Sequence, residues 1–130
     1  MAILTAIIVD DEPGIAELFS GLLELQRIKI VGIGQNGLDA IRLVNSTNPD
    51  IVFLDINMPK MNGTEALKEI KKNSPTTKII MMTADEFTDK EQLSQFGADA
   101  LIFKPFDMPQ IIRLCEKIER SENLRFTQIK

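Results

Sequence analysis

The sequence predicts an α/β fold, a five-stranded parallel sheet in the order 2-1-3-4-5 with five helices over both faces, and three observations carry this. Five short apolar runs alternate with five stretches of helical periodicity, with no internal repeat and no linker between them. The runs are apolar without alternation, as strands buried on both faces are. Right-handed crossovers then leave few topologies for 130 residues, and 2-1-3-4-5 is the common one at this size.

Each element has its own signal. Ile3 to Val9 is rich in β-branched residues and is stopped by Asp10-Asp11-Glu12-Pro13, which makes it the first strand. Pro13 suits the first turn of a helix and the acids before it favour the positive end of its dipole. Ile15, Leu18, Phe19, Leu22 and Leu23 follow at helical spacing. Ile28 to Ile33 is the second strand, with Gly32 and Gly34 marking its end, and Asn36-Gly37 opens a second helix carrying Leu38, Ile41 and Val44 inward. Ile51-Val-Phe-Leu-Asp55 is the third strand. The loop from Asn57 to Gly63 leads to a helix with Ala66, Leu67 and Ile70 on its inner face, ended near Ser74-Pro75.

Lys78 to Met82 is the fourth strand. The helix after it, roughly Thr88 to Phe96, has only Leu93 and Phe96 as apolar anchors, so it should be the loosest. Ala100 to Phe103 is the fifth strand, terminated by Lys104-Pro105-Phe106, and the last helix presents Met108, Ile111, Ile112, Cys115 and Ile118. Residues 1–122 form one domain on this reading and 123–130 a C-terminal tail, expected to be a frayed end; docking on a partner is the other reading.

Composition removes several function classes. A net charge of −4 argues against gripping nucleic acid by its backbone, and the adjacent Lys71 and Lys72 read as a solvated helix face. No apolar run has transmembrane length and Met1 to Val9 lacks the features of a secretory signal, so a cytoplasmic home is expected. Cys115 is the single cysteine and there is no histidine, which excludes an internal disulfide, the usual zinc sites and triads of the Ser-His-Asp kind. Cys115 itself reads as core packing.

The chemistry gathers at the carboxyl ends of the strands, where ligands bind in such sheets. Asp10 and Asp11 follow the first strand, Asp55 ends the third, Thr83 follows the fourth and Lys104 the fifth. Three clustered carboxylates repel one another, so a proton or a cation must offset them, and hard oxygen ligands select Mg²⁺ or a similar ion. The metal in turn invites a phosphoryl group. Lys104 offers a positive charge and Thr83 a hydroxyl suited to phosphoryl oxygens, and a carboxylate such as Asp55 is an established nucleophile toward phosphorus. Taken singly, Asp10 and Asp11 could cap a helix, Asp55 could be a turn residue, Thr83 could cap the helix that follows it, and Lys104 could be a solvated lysine. Their coincidence at four strand ends favours a phosphoacceptor site.

Asp10-Asp11, Asp55 with Met58-Pro59 and Gly63 downstream, Thr83-Ala84 and Lys104-Pro105-Phe106 together resemble a response-regulator receiver domain, the CheY-like phosphoacceptor of two-component signalling, over residues 4–120. The resemblance implies that Asp55 accepts phosphate from a histidine kinase or phosphotransfer protein. It implies Mg²⁺ bound by Asp11, Asp55 and the backbone carbonyl of Asn57, with Asp10 acting mostly through a water. Thr83 and Lys104 would hold the phosphoryl group, Lys104-Pro105 would be cis, and small Ala84 would leave the site open. Asn57 and Asp85 would flank the entry and tune hydrolysis. The implied protein is not an enzyme on other substrates but assists its own phosphorylation and dephosphorylation. It would bind a downstream protein through its fourth helix, fifth strand and fifth helix, as a monomer or weak dimer and a single-domain regulator, without direct nucleic-acid binding or membrane insertion.

One position departs from the pattern. Where the family usually has Tyr or Phe three residues before the lysine stands Leu101, which puts the output mechanism in question, and Phe103 is not assigned the role. Three other functions compete. An aspartate-nucleophile phosphatase generally needs a second acid where Asn57 stands. A flavodoxin-like cofactor binder would need a hydroxyl-rich or Gly-rich phosphate loop after the first strand. A binding module independent of phosphorylation would have no use for the full residue set.

Overall fold

In the computed structural model, which describes residues 3–130, every strand of the sheet runs parallel to its neighbours. The elements alternate as β1 (Thr5–Val9), α1 (Pro13–Glu24), β2 (Lys29–Gly34), α2 (Gly37–Thr47), β3 (Ile51–Asp55), α3 (Gly63–Asn73), β4 (Lys78–Thr83), α4 (Lys90–Gln95), β5 (Ala100–Phe103) and α5 (Met108–Glu119), followed by β6 (Thr127–Ile129). The sheet order is β2-β1-β3-β4-β5-β6, the expected order with one strand added.

The central strands are buried on both faces, which is why their sequences do not alternate. Ala6, Ile8, Phe53, Ile80 and Ile102 face a core shared with α1 and α5, while Ile7, Val9, Leu54, Met81 and Leu101 face a second core under α2, α3 and α4. In the first core Phe19 meets Phe53 edge-on at 5.0 Å and stacks on Phe106 at 4.5 Å, tying α1 to β3 and to the segment after β5. All helices but α1 start where side chains satisfy their free amides: Asn36, Asn62, Asp89 and Asp107 each accept a hydrogen bond from the N–H three residues on. An ionic clasp holds the opposite rim, where Asp99 Oδ2 accepts from Lys71 Nζ at 2.8 Å and from the Ile79 amide at 2.9 Å.

Three helix faces differ from those expected. α1 buries Ala16, Phe19, Ser20 and Leu23 and leaves Leu18 63% exposed; α2 buries Ala40, Leu43 and Val44 and leaves Leu38 52% exposed, with Ile41 half-buried. In both, an alanine is fully buried beneath the helix and a leucine is left exposed. In α5 the buried face includes Leu114, while Ile112 is half-buried. α4 is only six residues long, and Thr88 stands outside it.

The larger correction concerns the tail. Instead of fraying, Thr127–Ile129 pairs in parallel with β5, aligning Ala100 with Thr127, Leu101 with Gln128 and Ile102 with Ile129. Leu124 and Ile129 are buried in the first core and Phe126 packs against the second, enough apolar burial to offset the entropy that usually leaves chain ends loose. Among the described residues, no helix is long and apolar enough to cross a membrane.

Candidate functional site

Because all six strands run in one direction, the carboxyl ends of β1, β3, β4 and β5 meet on one rim and bring Asp10, Asp11, Asp55, Thr83 and Lys104 together from four chain segments. Asp10 is almost fully buried, at 1% exposure. Its amide donates to the Gly34 carbonyl at 3.0 Å, its Oδ1 accepts from the Glu12 amide at 3.0 Å and its Oδ2 from Lys104 Nζ at 2.8 Å. Asp11 is exposed. Asp55 is buried, with Oδ2 3.5 Å from Lys104 Nζ. Carboxylate oxygens of Asp10, Asp11 and Asp55 lie within 4.8 Å of one another.

Gly63 shapes the floor of the site. The first turn of α3 presses on the end of β3 so closely that a Cβ at Gly63 would stand 2.1 Å from the Asp55 carbonyl oxygen, and the Gly63 amide donates to the Ile56 carbonyl at 2.8 Å. No side chain fits there.

Electrostatics follow from this crowding. Burial pushes the Asp55 carboxyl up, against the pull of Lys104, and the charges of Asp10 and Asp11 add to the rise while a hydrogen bond from the Asn57 backbone opposes it; the net value is about 6. For Lys104, burial acts to lower the ammonium, but the hydrogen bond to Asp10 and the charges of Asp55 and Asp10 outweigh it and the net shift is upward. Lys104 therefore stays charged and is shared between two acids, nearer Asp10 than Asp55.

Thr83 is fully buried and its hydroxyl is engaged within its own loop. It accepts from the Asp85 amide at 3.0 Å and donates to Thr88 Oγ1 at 3.1 Å, since the Thr88 hydroxyl spends its proton on the Asp85 carbonyl at 2.7 Å. The Lys104 amide donates to the Thr83 carbonyl at 2.8 Å, and the Lys104-Pro105 peptide is cis. Asn57 is exposed and touches the site through its backbone. Beside Lys104 a cavity of about 720 Å³ opens between Ala84, Asp85, Phe103 and Pro105, with Phe87, 86% exposed, at its lip.

One participant escaped the sequence reading. Thr88 holds the Thr83 hydroxyl, and the only sign of this is a second threonine in the loop after β4. Phe103 lies on the same side of β5 as Leu101, and the ammonium groups of Lys90 and Lys130 stand 5.5 and 5.6 Å from its ring. Leu101 itself is fully buried.

Among the described residues three carboxylates converge without a histidine or cysteine beside them, a donor set suited to a hard divalent cation, and Mg²⁺ fits it. Similarity to known proteins agrees with this geometry. Residues 6–116 match the family described as the response regulator receiver domain. The chain is 33% identical over 116 residues to the chemotaxis protein CheY of Listeria monocytogenes, covering 88% of this chain and 97% of that protein. It is 31% identical over 125 residues to the regulatory protein AtoC of Escherichia coli, covering 95% of this chain but only 27% of that longer protein. A chain of the CheX-CheY-BeF3-Mg²⁺ complex from Borrelia burgdorferi superposes with a TM-score of 0.83 at 25% identity, over 89% of each chain. A parallel sheet in this order, an acid cluster with a lysine on its rim, and a family match across most of the length lead to one conclusion: the chain belongs to the response regulator receiver domain family.

Proposed function

We propose that Asp55 is the phosphoacceptor of this receiver domain, and the observation that carries the reading is the convergence of Asp10, Asp11 and Asp55 beside Lys104. Asp55 attacks phosphorus through a carboxylate oxygen, an acyl phosphate bond forms, and the bond to the donor's leaving group breaks. The donor is a histidine kinase or phosphotransfer protein. Asp11, Asp55 and the Asn57 carbonyl would hold Mg²⁺, with Asp10 behind them, and the ion would supply positive charge for the transferred phosphoryl oxygens. Lys104 supplies a second cation at the same place.

Asp10 keeps Lys104 charged and positioned before any phosphoryl group arrives. The Thr83 hydroxyl can donate to a phosphoryl oxygen only by giving up Thr88 Oγ1 as its acceptor, so phosphorylation pulls on the loop of residues 84–88. That loop leads into α4, and a downstream protein reading the α4, β5 and α5 surface senses the change as a shift between two conformations. The same residues assist both gain and loss of phosphate. The reading places the chain in the cytoplasm, with neither nucleic acid nor membrane as its direct partner.

Incubation with acetyl phosphate and Mg²⁺ should add one phosphoryl mass to the chain, and beryllium fluoride with Mg²⁺ should shift amide resonances around residues 83–88. Both responses should vanish in Asp55→Asn. An Asp55→Asn variant that responds like the parent would defeat the proposal.

A further inference from the structure

β6 is three residues long, bonds to the sheet along one side only, and is joined to α5 by the short segment 120–126. That segment contains three non-glycine residues in the left-handed region: Ser121 at φ 59°, Arg125 at φ 51° and Phe126 at φ 49°. For residues with a Cβ this conformation is strained, and two of the three stand in succession just before the strand. Yet the seat itself is well made. Leu124 and Ile129 are 8% and 3% exposed, the Thr127 amide donates to the Asp99 carbonyl at 3.2 Å, and Lys130 stands over Phe103.

A good seat reached by a strained connection is the condition under which a strand exchanges between copies. The contacts made in trans are the same as those made in cis, whereas the connecting segment is free to extend and leave the left-handed region. We propose that the edge of β5 is a strand-accepting interface and that its alternative occupant is residues 124–130 of a second copy of this chain, giving a reciprocal, two-fold strand-exchanged dimer. A second copy is the occupant because its segment carries the side chains already shown to fill the seat. The exchange requires no phosphate on Asp55 and goes beyond the phosphoacceptor reading.

A disulfide trap separates the two arrangements, because Ala100 and Thr127 are register partners in both. The chain carrying Ala100→Cys and Thr127→Cys, with Cys115→Ala to remove the native thiol, is oxidised at increasing concentration and run without reductant. Low concentration should give the internally bridged monomer. Raising the concentration about a hundredfold should turn a growing share into covalent dimer by mass action. Adding Ser121→Gly and Arg125→Gly, which relieve the linker, should lower the dimer share, and Ile129→Asp, which spoils the seat, should abolish it. Light scattering on the parent chain should show the same rise in mass with concentration. Monomeric bridging at every concentration, no bridging at all, or a dimer indifferent to Ile129→Asp would each overturn the proposal.

Discussion

Burial is the strongest influence on the Asp55 carboxyl and it opposes ionisation, so the metal-free folded chain holds this proton up to about pH 6, whereas the unfolded chain releases it near 3.8. Between those values the folded state binds the extra proton, and stability is lost as the pH rises through the window. Asp55→Asn has no such loss. Without metal, its unfolding free energy should exceed the parent's by about 1–3 kcal/mol at neutral pH, and the gap should close below the unfolded value. Urea titrations across that range measure it, and a gap independent of pH would contradict the account. Lys104 has the opposite role, because it compensates acids that are already buried. Lys104→Met leaves Asp10, at 1% exposure, without its cationic partner and should cost about 2–4 kcal/mol in urea unfolding, with Asp10→Asn in the same chain recovering part of it. The acids and the lysine were legible from their strand ends. That Lys104 would favour Asp10 was not, because the two are 94 residues apart and the choice depends on a few ångströms of geometry.

At the scale of elements, strands and helix starts were readable because each has a local cause: β-branched apolar runs, a proline in the first turn, and Asn or Asp at the caps. Helix orientation was less so. Leu18 and Leu38 obey the periodicity as well as Leu23 and Leu43 do, and only packing on the sheet decides that Ala16 and Ala40 lie innermost. The sixth strand left no periodic signal, since three residues are too few to show one and the anchor Leu124 precedes the strand. Gly63 was noted in sequence as part of a pattern, and its physical reason is the Asp55 carbonyl beneath it. Gly63→Ala should push α3 away from β3, lowering stability by roughly 2–4 kcal/mol and weakening Mg²⁺ binding at the same time, as calorimetry would register. Retention of both would mean that the contact yields easily.

For the molecule as a whole, the parallel sheet places Asp10, Asp11, Asp55, Thr83 and Lys104 on one rim and its ionic clasp on the other, so the candidate site and the clasp occupy opposite ends. The order of the first five strands followed from the handedness of crossovers, whereas the sixth is added beyond β5 by a helix on the opposite face from α3 and α4. Leu101 also takes its meaning at this scale: it fills the second core, and the ring on that side of the strand is Phe103, under the ammonium groups of Lys90 and Lys130. Phe87 offers something different. The chain contains neither tryptophan nor tyrosine, so its intrinsic emission is nearly dark. An aromatic ring 86% exposed, two residues past Asp85 and at the lip of the cavity beside Lys104, is a ready place for an optical label. Phe87→Trp should leave stability within about 0.5 kcal/mol of the parent, as exposed substitutions do. It would give a lone fluorophore on the loop that Thr83 holds, whose spectrum should move when Mg²⁺ and beryllium fluoride are added together and stay still in the Asp55→Asn background. The absence of other indoles would make that signal free of background, so events at the rim could be timed by light.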